Sequence, residues 1–135
     1  MRNAIGGAVL LALVGCATSP ISAEQADQVP SDRLYSYQTS SDGPARLVVT
    51  RDTGFTGSAC NTRVLIDGRL AALIGPGETA AFYVPAGGFI LAAEGNAACY
   101  TGLKEREVVI ESGKTKRYRI SIDTSFSMDI SPTAM

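Results

Sequence analysis

Histidine and tryptophan are both absent from this chain of 135 residues, and aromatic residues make up only 7% of it. Without histidine, Ser-His-Asp catalysis, Cys-His catalysis and imidazole metal sites are all excluded. A strong charge of either sign is absent too, because 12 basic residues balance 13 acidic ones. The chain therefore has no electrostatic footprint for nucleic acid. These absences predict a protein with no enzymatic activity, no metal and no cofactor.

Long hydrophobic runs are also missing. The longest apolar run, residues 4–13, is about ten residues long, whereas a transmembrane helix needs roughly twenty. Arg2 precedes this run and small residues follow it, which is the layout of a secretory signal peptide. We therefore predict a signal peptide over residues 1–15.

The end of this segment, Leu13-Val14-Gly15-Cys16, resembles the lipobox of bacterial lipoproteins. The resemblance implies that signal peptidase II recognises Leu13, Val14 and Gly15 and cleaves before Cys16. It also implies that the Cys16 sulfur carries a diacylglyceryl group, with acyl chains such as palmitate. Ala17 stands where an aspartate would resemble an inner-membrane retention signal, which favours the outer membrane, facing the periplasm. The alternative is a secreted protein whose cleavage site happens to precede a cysteine.

The rest of the chain divides into two parts. Residues 16–31 are small, polar and marked by proline, and they predict a lipidated cysteine followed by a flexible tether. Residues 32–135 are enough for one domain with a core. In this domain, short apolar segments alternate with glycine-bearing turns about every ten residues, which is typical of a sandwich. We predict an all-β fold, a small antiparallel β-sandwich of about seven or eight strands. The predicted strands are 46–51, 63–66, 69–74, 80–84, 89–94, 105–111, 116–123 and 126–130.

Two hairpins are predicted from turn chemistry and alternation. Asp67-Gly68 between two apolar segments indicates a two-residue type I′ turn. In strand 105–111, alternation places Val108 and Ile110 on one face and Val109 on the other; in strand 116–123 the apolar face is Tyr118, Ile120 and Ile122. These strands are predicted to pair as the last hairpin, with Glu107 opposite Arg119 and Val108 opposite Tyr118, because opposed residues must share a face.

Four basic residues lie close together around this predicted hairpin: Lys114, Lys116, Arg117 and Arg119. The register above predicts that Glu105, Glu107 and Glu111 on the neighbouring strand balance them. The alternative is a basic surface that docks on an acidic envelope polymer.

Two cysteines remain after lipidation of Cys16. Cys60 and Cys99 predict one disulfide in an oxidising compartment. Closing a loop of about 40 residues would stabilise the fold by roughly 4 kcal/mol. The alternative is a pair of buried free thiols.

A recognition site is predicted at one end of the domain. Phe55 lies in a loop between Gly54 and Gly57, where exposure is expected, and Tyr100 directly follows Cys99. The predicted disulfide would bring these two loops together, so Phe55 and Tyr100 are the candidate binding residues.

Several short segments together resemble the PEGA-type surface domains and their small-lipoprotein relatives. The segments are Leu47-Val48-Val49, Val64-Leu65-Ile66-Asp67-Gly68, Gly75-Pro76-Gly77 and Phe82-Tyr83-Val84-Pro85-Ala86-Gly87. The resemblance implies a compact β-sandwich on the cell envelope and carries over no catalytic residues.

The sequence therefore predicts a non-enzymatic, lipid-anchored envelope lipoprotein. It would act as a binding or structural module for another envelope component, either a protein or peptidoglycan. One alternative is a protective inhibitor that inserts a loop into a foreign envelope-degrading enzyme. Another is an enzyme that acts on peptidoglycan with carboxylates alone, which would need two carboxyl groups about 5 to 9 Å apart in a cleft.

Overall fold

The computed structural model of the protein describes residues 18–95 and 102–135. This part of the chain contains nine strands and two short 3-10 helices, Ser31–Arg33 and Ser40–Asp42. The strands are β1 (Asp27–Gln28), β2 (Ala45–Arg51), β3 (Thr62–Ile66), β4 (Arg69–Ile74), β5 (Glu78–Val84), β6 (Gly87–Gly95), β7 (Leu103–Ile110), β8 (Thr115–Ile122) and β9 (Met128–Pro132). The prediction of an all-β fold is confirmed.

The strands form two sheets that pack face to face as a sandwich. One sheet has the order β1-β5-β2-β8-β9 and the other has the order β4-β3-β6-β7. The eight predicted strands correspond to β2 through β9, with ends that agree within two residues. Strand β1 is additional to the prediction.

The core lies between the sheets and follows from period-two alternation in the strands. Leu47 and Val49 of β2 are fully buried, as are Val108 and Ile110 of β7. Tyr118, Ile120 and Ile122 of β8 are buried as well, whereas Val109 is exposed. The faces predicted for β7 and β8 are therefore confirmed.

The predicted pairing of β7 with β8 is wrong. Strand β7 pairs with β6, where Val108 lies opposite Phe89, while β8 belongs to the other sheet, where Tyr118 lies opposite Val49. The chain crosses between the sheets after Ile110. Alternation identifies the buried face of each strand but not its neighbour. The same pattern is expected whether two strands pair in one sheet or lie in opposite sheets with the core between them.

The prediction of an antiparallel sandwich is correct for five of the seven strand pairings in the described residues and wrong for two. Two of the pairings, β1 with β5 and β2 with β8, are parallel. Between β2 and β8 the chain passes repeatedly through the other sheet, and it returns beside β2 in the same direction. The alternation of buried residues is the same for either strand direction, so the sequence pattern does not report it.

The predicted two-residue turn at Asp67 and Gly68 is confirmed. Both residues have positive φ, 48° and 75°, as a type I′ turn requires. The turn joins β3 and β4 in an antiparallel pair in which Ile66 lies opposite Arg69.

The segment predicted to be a flexible tether follows the domain surface from Thr18 onward. Strand β1 pairs with β5, and the Asp27 N–H donates to the Gly77 carbonyl at 3.0 Å. Val29 is buried in the core, and Glu24 forms an ion pair with Arg117 at 2.8 Å. The tether prediction is wrong for residues 18–31. Their mainly polar composition does not indicate a two-residue strand or a single buried valine.

The loops lie at two opposite ends of the sandwich. We call one the proximal end; it carries Thr18, residues 52–61, residues 75–77 and residues 123–127. We call the other the distal end; it carries the turns at residues 67–68, 85–86 and 111–114.

Candidate functional site

The first described residues of the chain are fastened to the proximal end. The Thr18 hydroxyl donates to Asp52 Oδ2 at 3.0 Å and accepts from the Ile122 N–H at 3.1 Å. Ser19 and Thr53 form an antiparallel bridge, with N–H to carbonyl distances of 2.8 and 2.9 Å. The N-terminal segment thus enters the fold at the ends of β2 and β8.

Asp52 is the polar centre of this junction, and its side chain is only 1% exposed. Arg119 donates to both carboxylate oxygens, at 3.0 and 2.5 Å. These hydrogen bonds to Asp52, together with its charge, raise the pKa of Arg119. The buried carboxylate is therefore neutralised by a bidentate arginine, the geometry that suits a planar guanidinium.

Arg51, the last residue of β2, shapes the loop that follows. Its guanidinium donates to the carbonyls of Gly57 at 2.8 Å and Cys60 at 2.6 Å, and to that of Ile74 at 3.2 Å. The side chain is almost fully buried, and this burial lowers the pKa of Arg51 to about 10. Within residues 18–95 and 102–135, its Nε has no hydrogen-bond partner. The loop is thus built around a desolvated cation.

Phe55 lies at the tip of this loop with 84% of its surface exposed, which agrees with the predicted exposure. Phe126 lies in the turn between β8 and β9 and is 54% exposed. The two rings line one groove of about 460 Å³. The other side chains along the groove are small and uncharged: Thr56, Ser58, Ala59 and Thr124. An apolar surface formed by two rings at one end of a small domain is typical of an interaction site.

The turn that carries Phe126 is held by Asp123. The Asp123 carboxylate accepts hydrogen bonds from the Ser125 hydroxyl at 2.7 Å and from the Ser127 and Ser125 N–H groups, both at 2.9 Å, and these bonds lower its pKa. Phe126 has a φ of 62°, which is uncommon for a residue other than glycine. The predicted strand 126–130 is therefore wrong at its start, because β9 begins at Met128.

Phe126 was not predicted as a site residue, although a signal for it exists. Asp123, Thr124 and Ser125 are turn-forming residues, and they place Phe126 in the turn instead of in a strand. Arg51 was also missed. Leu47, Val49 and Arg51 alternate on the same inward face, so the strand pattern itself carries a basic residue into the interior.

The N-terminal segment and the Phe55 loop are in direct contact. A Cβ on Gly54 would lie 3.1 Å from the Thr18 Cα, and Gly54 has a φ of 137°. Glycine is required here because of both the backbone conformation and the close approach of Thr18. The chain therefore enters the domain immediately beside Phe55.

Several predicted site residues lie outside the described residues. Leu13, Val14, Gly15 and Cys16 of the lipobox precede them, and Cys99 and Tyr100 fall in the second gap. The pairing of Phe55 with Tyr100 therefore stays a prediction. Cys60 lies at the proximal end, where its N–H donates to the Gly57 carbonyl at 3.1 Å.

The basic cluster of Lys114, Lys116, Arg117 and Arg119 is partly neutralised, but the predicted partners Glu105, Glu107 and Glu111 are wrong. Glu105 and Glu107 lie on β7, in the other sheet, and Glu111 directly follows that strand. Arg117 instead pairs with Glu24, and Arg119 pairs with Asp52.

Residues 18–95 and 102–135 contain no group of three or more potential metal ligands. Over the same two ranges, no helix is long and apolar enough to cross a membrane.

No family model matches this chain, and no curated protein matches it either, so the resemblance to PEGA-type domains stays a prediction.

Proposed function

We propose that the protein is a non-enzymatic lipoprotein of the bacterial cell envelope, anchored in the outer membrane through Cys16 and facing the periplasm. The observation that carries this proposal is the position of Thr18. This residue lies two positions after the proposed lipidated cysteine and is hydrogen-bonded to Asp52 and Ile122. An anchor at Cys16 would therefore hold the whole domain directly at the membrane surface.

The arrangement of the carboxylates supports a binding or structural role. Asp52, Glu78 and Glu94 are acidic side chains near the proximal end that are largely removed from water, and each is paired with an arginine. Arg33 donates to both Glu78 oxygens, at 2.8 and 2.6 Å. The Asp52 and Glu78 carboxylates are thus both engaged by guanidinium groups, whereas a general acid needs a carboxyl group that is protonated and faces substrate.

Fractionation of the wild-type protein and the Cys16→Ser variant tests the anchor. We expect the wild-type protein in the membrane fraction, with the mass of a diacylglyceryl group on Cys16. The variant should be recovered in the soluble fraction. Ala17→Ser is the matched control, because it changes the neighbouring residue and keeps the sulfur. Membrane association of Cys16→Ser equal to that of the wild-type protein would rule out the anchor.

The partner of this module would be an envelope protein or peptidoglycan. Full-length lipidated protein in detergent can be used to capture material from solubilised envelope and, separately, from purified sacculi. A single saturable protein partner would make it an accessory subunit of that partner. Saturable retention on sacculi would make it a wall-binding module. Retention of neither would contradict the binding role.

We also propose that Cys60 forms a disulfide with Cys99. The proposal is supported by the pairing of Thr62 with Gly95, which places the chain two residues after Cys60 beside the chain four residues before Cys99. Peptide mapping under non-reducing conditions should yield a cross-linked pair of peptides that separates on reduction. Recovery of both cysteines in alkylated form without prior reduction would show that they are free thiols.

A second candidate function is inhibition of a foreign envelope-degrading enzyme. The exposed Phe55 ring, in its glycine-flanked loop, favours this inhibitory function. Inhibition of a muramidase by the protein, lost in Phe55→Ser and retained in Val109→Ser on the distal half of β7, would support this role. Equal inhibition by both variants, or none by the wild-type protein, would exclude it.

A further inference from the structure

We propose that Phe55 and Phe126, two exposed aromatic residues of the proximal end, rest in the lipid interface of the membrane that anchors the chain. We call this surface the aromatic patch. The inference rests on the proposed lipidation of Cys16 and adds to it an orientation: the proximal end faces the lipid and the distal end faces away.

The first argument is the length of chain available to the anchor. Only Ala17 lies between Cys16 and Thr18, and an extended chain covers at most about 7 Å over these two steps. Thr18 itself is held by hydrogen bonds to Asp52 and Ile122 and cannot move away while they persist. The anchor therefore keeps the proximal end within about one headgroup layer of the hydrocarbon, since the layers outside the core add about 5 to 8 Å on each side.

The second argument is the position of the aromatic patch relative to that attachment. Gly54 contacts Thr18 through the 3.1 Å approach described above, and Phe55 is the next residue. Phe126 lines the same groove as Phe55. The lipid attachment and the aromatic patch thus lie on one end of the sandwich, side by side.

The third argument is chemical. The groove between the rings is lined by uncharged residues, so none of the lining side chains would bring a charge into the interface. Large apolar side chains that project from a polar surface are the usual contacts of proteins that lie on a bilayer. Both rings are held out by local structure: the Phe55 loop by Arg51 and the Phe126 turn by Asp123. The two loops therefore lose little conformational entropy when the rings contact the membrane.

The absence of tryptophan allows a direct test, because a single introduced indole is a unique fluorescent probe. The variants are Phe55→Trp, Phe126→Trp and, as the control near the distal end, Val109→Trp, which replaces an exposed residue of β7. Each full-length lipidated protein is reconstituted into vesicles of phosphatidylethanolamine and phosphatidylglycerol, with and without lipids that carry a quencher on the acyl chain.

We expect the indoles at positions 55 and 126 to shift their emission to the blue and to be quenched by the labelled lipids. The indole at position 109 should stay accessible to acrylamide in water. Equal accessibility of all three positions on vesicles would overturn the inference. Burial of position 55 only after an envelope protein is added would overturn it too, and would assign the aromatic patch to a protein partner.

Two further measurements separate this inference from the proposed function. Mass spectrometry of the same samples reports the lipid on Cys16; its absence would remove both the anchor and the inference. With the lipid present and position 55 in water, the inference alone would fail. Hydrogen exchange of the unsubstituted protein provides a check without an introduced indole: amides of residues 55–59 should be protected on vesicles at least tenfold more than in the Cys16→Ser protein.

Discussion

Arg119 and Asp52 form a bidentate ion pair at the proximal end, with hydrogen bonds of 3.0 and 2.5 Å, and the Asp52 side chain is almost completely buried. The same carboxylate accepts the Thr18 hydroxyl at 3.0 Å. One side chain thus connects the N-terminal segment, the end of β2 and strand β8. The stability of this end of the sandwich depends on it.

Replacement of Asp52 by Asn should destabilise the protein by about 3 kcal/mol, since it leaves a partly buried arginine without its counter-charge. Urea denaturation measures this loss. Asp129→Asn is the matched control, because the Asp129–Arg106 pair is half exposed on both sides and should be worth less than about 1 kcal/mol. Equal losses in the two variants would contradict the role given to Asp52.

Replacement of Arg51 by Met should destabilise the protein by about 2 to 4 kcal/mol. The aliphatic side chain keeps much of the volume but leaves the carbonyls of Gly57, Cys60 and Ile74 without their donor. Hydrogen exchange should also accelerate across residues 55–60. Arg46→Met, in the same strand, removes a guanidinium stacked 4.0 Å from the Tyr83 ring and should cost less than about 1 kcal/mol. Unchanged exchange in Arg51→Met would show that the loop holds its shape without this side chain.

Replacement of Gly54 by Ala should cost about 1 to 3 kcal/mol, because the new Cβ meets the Thr18 backbone in a conformation that favours glycine. The Ser19 and Thr53 amides should exchange faster as the N-terminal segment is displaced. Gly88→Ala is the control; its Cβ would meet the Glu107 side chain at an ordinary 3.6 Å. Slow exchange at Ser19 in Gly54→Ala would mean that the segment accommodates the methyl group.

Acid should weaken the fold through Glu78. Hydrogen bonds from Arg33, with a smaller contribution from the Gly75 N–H, lower the pKa of this carboxyl in the folded protein. The unfolded chain therefore binds the proton more readily. The resulting stabilisation is complete above the unfolded pKa of about 4.3 and disappears as the pH falls through the folded value.

The variant Glu78→Gln should show a shallower fall of unfolding free energy between about pH 4.5 and 3, since it lacks this titration. Arg33→Gln should flatten the profile in the same way, because the carboxylate loses its strongest partner. Denaturation curves across this pH range measure both. Profiles that superimpose on that of the wild-type protein would exclude Glu78 as a source of acid sensitivity.

Local features of the fold were accessible from the sequence. Alternation identified the buried faces of β7 and β8, and the chemistry of Asp67-Gly68 fixed the turn between β3 and β4. Both depend on neighbouring residues alone. The exposure of Phe55 followed in the same way from its flanking glycines.

Long-range features were not accessible. The pairing of β8 with β2, the partners of Arg117 and Arg119, and the position of Phe126 beside Phe55 all depend on which sheet each strand joins. A strand with one apolar face can bury that face in the core as a member of either sheet. The choice is made by the packing of the whole sandwich, which no short pattern reports.

The parallel contact between β2 and β8 has a consequence for the order in which the chain becomes structured. Arg46 lies opposite Thr115, and Arg51 lies opposite Ile120. The central strand of the larger sheet, β2, can therefore pair with β8 only after about seventy further residues have been synthesised. Topologies of such high contact order fold in milliseconds to seconds, far more slowly than chains with local contacts. A partly synthesised chain cannot complete this sheet.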